Sequence, residues 1–224
     1  MTNGRDDETS EPQGRALPRE RLNFYERWIL PTLLDWVMRQ TQLEKYRREA
    51  VAPARGRVLE IGIGSGLNFP FYGQQVEMVI GIDPSRRLLA MARQRAADAG
   101  IKAELIQGTA TALPLAERTI DTIVVTWALC SIPEPFLALR EMRRVLKPDG
   151  RLFFIEHGLC PERRVERWQH WLTPAWRHVS GGCHLNRRID DLIRAAGFGL
   201  IELRHEYAEG PRIFTYMYGG CARP

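Results

Sequence analysis

Long apolar runs are missing from this chain. The longest, Trp28 to Leu34 and Thr119 to Ile132, are far shorter than the roughly 20 residues a membrane-spanning helix needs, and the opening residues are polar and acidic rather than leader-like. Neither a secretory signal nor an integral membrane protein is expected. Cysteine is scarce as well: Cys130, Cys160, Cys183 and Cys221 are scattered, and no two lie at the spacing of a zinc site. Such usage points to reduced thiols in a cytoplasmic protein, and no metal site is expected. Charge of one sign is not concentrated anywhere. Residues 1–60 carry 11 basic and 10 acidic side chains, 61–150 carry 10 and 9, and 151–224 carry 11 and 8. The net charge of +5 is therefore spread out, and no nucleic-acid patch is expected.

What remains is a chain of 224 residues, 44% hydrophobic, enough for one sizeable core. Residues 1–20 are polar and rich in Gly, Pro and charge, and read as a disordered tail. Residues 21–52 turn helical, with Phe24, Trp28, Leu33, Leu34, Trp36, Val37 and Met38 at short helical spacings and Pro31 as an interruption. They read as a helical lid of two helices or one kinked helix.

From residue 53 strand and helix patterns alternate. Strands are expected at Arg57–Ile61, Met78–Ile82, Lys102–Gln107, Thr119–Trp127 and Arg151–His157, with helices over Gly66–Gln75, Ser85–Gly100 and Pro135–Leu146, the last closed by a turn at Lys147–Gly150. Beyond them lie a tryptophan-rich, partly helical insertion at about 161–185, a helix over Asn186–Ala196, and two closing strands, Phe198–Glu206 and Ile213–Tyr218. Near-continuously apolar strands separated by helices predict an α/β, doubly wound, mostly parallel seven-stranded sheet.

In such sheets ligands bind at the carboxyl ends of the strands where strand order reverses. Here the first strand runs into Glu60-Ile61-Gly62-Ile63-Gly64-Ser65-Gly66. The dinucleotide fingerprint asks for a glycine at 67, where Leu67 stands, and a Walker-type loop asks for a lysine that is absent. Glu60 would repel a pyrophosphate and suit a cationic amino group. Asp83 ends the second strand, 23 residues on, where a carboxylate accepts hydrogen bonds from ribose hydroxyls. A ribose, a cation and no phosphates describe S-adenosylmethionine.

With these residues the sequence resembles the class I methyltransferases, in the motif order VLEIGIGSG, GIDPS, GTATALP, IDTIVVTWALCSI and REMRRVLKPDGRLFFIEH. It is similar to the UbiE and methyltransferase type 11 branch, and within it to a small alkyl-thiol methyltransferase-like group. That likeness rests on Asn68-Phe69-Pro70-Phe71-Tyr72, Leu129-Cys130-Ser131, Glu156-His157, Pro174-Ala175-Trp176-Arg177-His178 with Gly182-Cys183, and Gly210-Pro211-Arg212-Ile213. The resemblance implies a cofactor site of Glu60, Gly62, Gly64, Gly66, Asn68, Asp83, Pro84, Thr109, Ala110 and Trp127, and S-methylation of a small thiol. The acid that many class I enzymes place after the third strand is replaced by Gly108-Thr109-Ala110, so Thr109 or a backbone carbonyl would meet the adenine. Eukaryotic members begin with an apolar anchoring segment, where this chain has its amphipathic N-terminal helix. Peripheral membrane contact through that helix is the alternative to a purely cytoplasmic protein.

Methyl transfer from a sulfonium needs orientation and exclusion of water, and a thiol acceptor gains from losing its proton. His157, ending the fifth strand, is the first candidate base, with a backbone-bonded histidine as the plain alternative; His178 is the second. Cys130 and Cys183 read as small buried thiols, with a chemical role as the alternative. Trp28, Trp36, Trp168, Trp171 and Trp176 are expected to wall an acceptor pocket or to pack in the core. The expected partner is a small-molecule acceptor. Two competing readings keep the fold: methylation of a lipid head group or quinone at a membrane surface, and a binding module without turnover. Methylation of a nucleic-acid base is disfavoured, because Thr126-Trp127-Ala128-Leu129 stands where the Asn/Asp-Pro-Pro-aromatic tetrapeptide would be.

Overall fold

The computed structural model describes residues 24–224. The tail expected over residues 1–20, and the first three residues of the lid, lie outside the described residues. Seven strands form one sheet: β1 (Gly56–Ile61), β2 (Val76–Asp83), β3 (Ala103–Gln107), β4 (Ile120–Thr126), β5 (Leu146–His157), β6 (Gly199–Tyr207) and β7 (Tyr216–Arg223), in the order β3-β2-β1-β4-β5-β7-β6. The first five are parallel, and β7 runs antiparallel between β5 and β6.

Side-chain alternation along each strand divides the core. Leu59, Ile80 and Ile123 face one layer, packed with Leu139 and Met142 of α4 (Pro135–Val145) and Ile189 and Ile193 of α6 (Ile189–Ala195). Val58, Val79 and Val124 face the other, against Leu89, Ala92 and Ala96 of α3 (Arg86–Asp98). Each such fully buried aliphatic side chain is worth about 1.5–3 kcal/mol of transfer free energy. The sheet is buried on both faces because its strands carry apolar residues at successive positions, the doubly wound pattern expected.

Several boundaries move. The lid is a π-helical turn at Tyr25–Ile29, α1 (Leu30–Met38), a 3-10 turn at Thr41–Leu43 and α2 (Glu44–Val51). Its break falls at Arg39 and Gln40 instead of at Pro31, which sits in the first turn of α1, where its missing N–H costs nothing. The helix expected over Gly66–Gln75 is only a 3-10 turn, Phe69–Phe71. Pro70 removes a donor there, and the inward burial of Phe69 and Tyr72 fixes the segment as a loop packed on the core. Lys147–Gly150 is not a separate turn but a bulge inside β5, whose register jumps from Leu146 opposite Ile120 to Arg151 opposite Thr122. The tryptophan-rich insertion forms one helix, α5 (Arg163–Val179), with Pro174 inside it. Arg212–Thr215 is a helical turn, α7, so the last strand starts at Tyr216 and extends to Arg223.

Candidate active site

Strand order reverses between β1 and β4, so the crevice at their carboxyl ends is where a ligand belongs. Gly62, Gly64 and Gly66 all have positive φ, which a glycine adopts without steric cost. A Cβ on Gly66 would stand 2.7 Å from the Phe69 ring, and one on Gly62 would stand 2.5 Å from Ala128 Cβ. Among the described residues a Cβ on Gly64 would meet nothing nearer than 3.8 Å. The loop is thus tied down at its two ends and open in its middle.

Asp83, at the end of β2, is buried. One carboxylate oxygen accepts the Gly64 N–H at 3.0 Å and the other the Ser85 N–H at 2.8 Å. Burial pushes its pKa up to about 6, against the pull of those two donors. Each oxygen keeps a lone pair for a further donor. Pro84 is exposed beside it, its carbonyl taken by Gln107 at 3.1 Å.

Glu60 is fully enclosed. Its oxygens accept from Asn68 Nδ2 at 2.8 Å and from the Tyr72 hydroxyl at 2.6 Å, and burial lifts its pKa to about 7 despite those bonds. Asn68 also donates to Thr126 Oγ1 at 3.0 Å and accepts from Arg47 Nη1 at 2.9 Å. Both Asn68 Nδ2 protons and its Oδ1 are thus engaged, and the side chain holds the floor of the crevice together. Arg47, from α2, lies over the Trp127 ring at 4.8 Å and donates to the Met38 carbonyl at 3.0 Å; burial lowers its pKa to about 10. Arg95 of α3 binds Asp35 of α1 and the Ser65 carbonyl, each at 2.7 Å, so the lid is fastened to the glycine loop itself.

Arg47, Tyr72 and Thr126 were not among the residues expected here. Arg47 had a signal: it lies three and four residues before Ala50 and Val51, on the buried stripe of an otherwise polar helix. Thr109 and Ala110 lie in the loop that follows β3. The Thr109 hydroxyl pairs with that of Thr111 at 2.9 Å, and Ala110 is buried in the core.

Trp127, just past β4, has φ +50°, a conformation that costs a side-chain-bearing residue about 1–3 kcal/mol. The turn is held by Glu156 of β5, whose carboxylate accepts the N–H groups of Ala128 at 2.7 Å, Leu129 at 2.8 Å and Cys130 at 3.2 Å. Burial raises the pKa of Glu156. The same loop is clamped from the other side. Arg187 donates to the carbonyls of Leu129 and Ile132 at 2.6 and 2.7 Å, and the His184 N–H donates to the Cys130 carbonyl at 3.0 Å.

Between the clamps His157 Nε2 lies 2.8 Å from Cys183 Sγ, and Cys130 stands beside them. His157 Nδ1 is buried and has no hydrogen-bond partner among the described residues. Burial opposes charging of this imidazole, but Cys183 and Glu156 outweigh it and raise its pKa. The Cys183 thiol is pushed well up, by Cys130 and by burial. His178 is not brought to this cluster; it is exposed on α5, its Nδ1 2.8 Å from the Pro174 carbonyl. Of the five tryptophans expected at a pocket wall only Trp176 reaches it, donating to Cys183 Sγ at 3.3 Å and lying tilted against Phe214. Trp28, Trp36, Trp168 and Trp171 are exposed, so they do not wall an enclosed pocket. A shallow concavity lined by Arg57, Asp121 and Lys147 opens at the amino ends of the strands and holds none of the expected residues.

Residues 59–154 match the family model described as a methyltransferase domain. A thiol S-methyltransferase of Rattus norvegicus is 34% identical over 150 residues, 65% of this chain and 61% of the rat protein. The chain thus spans about three fifths of that relative's length. A demethylmenaquinone methyltransferase of Clavibacter sepedonicus is 32% identical over 175 residues, 70% of this chain and 71% of that protein. The solved structure of a SAM-dependent methyltransferase from Aquifex aeolicus superposes with a TM-score of 0.59 at 20% identity, covering 86% of this chain and 97% of that one; at that identity the likeness is one of fold.

Proposed function

The chain belongs to the S-adenosylmethionine-dependent methyltransferases, and from that premise we propose that it binds S-adenosylmethionine and methylates a small apolar thiol. The observation that carries the cofactor half is Asp83, fixed by one N–H on each oxygen beside an open Gly64. That is a carboxylate oriented before any ligand arrives, with lone pairs left for a pair of ribose hydroxyls. When bound, S-adenosylmethionine supplies a methyl group on a positively charged sulfur, with its leaving group already activated.

The chain's own residues bind, orient and exclude water. Glu60, Asn68 and Arg47 frame the end of the crevice that suits an amino acid moiety. Thr109 and Ala110 border the adenine end, and the lid reaches over the loop through Arg95 and Asp35. The strained turn at Trp127 closes the crevice next to the cysteines and His157. Orientation of this kind is the larger part of catalysis when the leaving group is good. The thiol half is supported by the thiol S-methyltransferase relative and by the sulfur and imidazole groups gathered where an acceptor would enter.

A second reading is favoured by one observation. Trp36 is 71% and Trp171 72% exposed, with Phe24 and Trp168 also exposed, and Arg163, Arg164 and Arg167 project from α5. Aromatic side chains with basic neighbours suit the boundary of an anionic bilayer, and the acceptor there would be a lipid head group or a quinone. The deciding experiment compares kcat/KM for small alkyl thiols, a quinol and phosphatidylethanolamine vesicles. Turnover on thiols alone is expected; turnover confined to the lipids would replace the thiol reading by the second.

A further inference from the structure

Two thiols and an imidazole from three separate parts of the chain meet at the carboxyl edge of β4 and β5. One donor atom from each of Cys130, His157 and Cys183 lies within 4.8 Å of the other two. Nothing in their spacing, 27 and 26 residues apart, announces this meeting; the clamps of Glu156, Arg187 and His184 create it. We propose that Cys130, His157 and Cys183 form a site for a thiophilic divalent metal ion, zinc being the representative, whose remaining coordination position takes the acceptor thiol as a thiolate. The second half of the proposal rests on the thiol reading above.

Geometry and chemistry support it together. Around a tetrahedral zinc with Zn–S about 2.3 Å and Zn–N about 2.0–2.1 Å, donor atoms stand roughly 3.5–3.8 Å apart. The 2.8 Å contact and the 4.8 Å limit bracket that separation, so side-chain shifts of about 1 Å suffice. Two sulfurs and one imidazole nitrogen form a donor set that selects zinc or another soft ion over magnesium or calcium. The surroundings serve a metal-bound sulfur: the Trp176 N–H donates to Cys183 Sγ at 3.3 Å, an outer-sphere bond of the kind that orients ligands. Glu156, beside His157 in sequence, is spent on three backbone N–H groups and does not compete. Three protein ligands leave a tetrahedral ion one short, the pattern of a reactive and not of a structural site.

The step balances simply. The acceptor's S–H bond breaks, its electron pair binds the ion, and the proton leaves to water; the coordinated sulfur is then held at the edge where the methyl group is offered. No oxidant or reductant is involved.

The test uses the full chain, stripped with a chelator and reloaded with cobalt(II). One cobalt per chain is expected, with thiolate-to-cobalt charge-transfer and four-coordinate ligand-field absorption, and with bands that shift when ethanethiol is added. Cys130→Ser and Cys183→Ser should each bind cobalt more weakly and with about half the charge-transfer intensity, while still binding S-adenosylmethionine by calorimetry, which shows that they fold. Cys221→Ser, a buried cysteine outside the cluster, should keep the full intensity. Absence of cobalt absorption from the fully reduced protein overturns the site. Full thiol turnover by stripped protein overturns the ion's role and leaves the thiol reading standing. Cobalt bands indifferent to thiols, together with no thiol turnover, would overturn the thiol reading and leave the site.

Discussion

Arg47, in the helix before the sheet begins, donates to Asn68 Oδ1 at 2.9 Å, and through Asn68 it reaches Glu60 at the end of the first strand. The N-terminal helix that carries Arg47 is thus tied to the crevice's floor. Arg47→Met should lower stability by about 1–3 kcal/mol, because a buried acceptor loses its donor. It should also weaken S-adenosylmethionine binding more than substitution of the exposed Arg48 does. Denaturant midpoints and calorimetry check this; equal effects for the two arginines would contradict it.

Asp83→Asn removes the charge while keeping one acceptor. Its loss of cofactor affinity is expected to be about tenfold to a hundredfold, the cost of one charged hydrogen-bonding group, with the far-ultraviolet spectrum unchanged. Unaltered affinity would mean that the cofactor does not sit at β2.

The glycine loop separates two kinds of cost. Gly66→Ala puts a Cβ 2.7 Å from the Phe69 ring and 3.0 Å from Ala92 Cα, so it should destabilise the fold by about 1–3 kcal/mol through overpacking. Gly64→Ala meets no atom of the described residues closer than 3.8 Å and carries about 1–2 kcal/mol of left-handed strain. Its larger effect should be on cofactor binding, read as a raised Kd, since its methyl group enters the open part of the loop.

Burial raises Glu60 to about 7 and Asp83 to about 6, from 4.5 and 3.8. Both bind protons more tightly in the folded chain than in the unfolded one. Stability is therefore fully present below the unfolded values and falls as pH rises through about 6 and 7. At about 1.4 kcal/mol per pKa unit the decline without cofactor is on the order of a few kcal/mol. Glu60→Gln should flatten it, as measured by urea midpoints across that range. A midpoint that climbs over the same window would reverse the sign and refute the argument.

Trp36 and Trp171 test the membrane reading. On that second reading wild-type protein sediments with vesicles rich in phosphatidylglycerol, and the Trp36→Ala, Trp171→Ala pair reduces the bound fraction severalfold, because aromatic anchors carry interfacial binding. No sedimentation of the wild type would remove the second reading.

The regular alternation from residue 53 made the sheet legible, since a strand buried on both faces is apolar at successive positions and a helix is not. The placement of Asp83 and the glycine loop at the crevice was legible, because strands β1 and β2 end there, beside the point where strand order reverses. Gly66–Gln75 is long enough for a helix, but Pro70 removes a donor and Phe69 and Tyr72 turn into the core, leaving a 3-10 turn. The tryptophans misled because large aromatics serve cores, pockets and exposed faces alike, and only the fold decides which. Arg47 and the cluster of Cys130, His157 and Cys183 were illegible as sites for a common reason. Their partners are distant in sequence and joined through loops whose course depends on buried groups such as Glu156 and Arg187, and no local spacing records that course.

The most direct test of the account is transfer of a deuterium-labelled methyl group from S-adenosylmethionine to ethanethiol, followed by mass spectrometry of the product. A labelled thioether, formed in step with S-adenosylhomocysteine by the wild type and lost in Asp83→Ala, is the result the account predicts. Tight cofactor binding with no labelled thioether from any small thiol would contradict it.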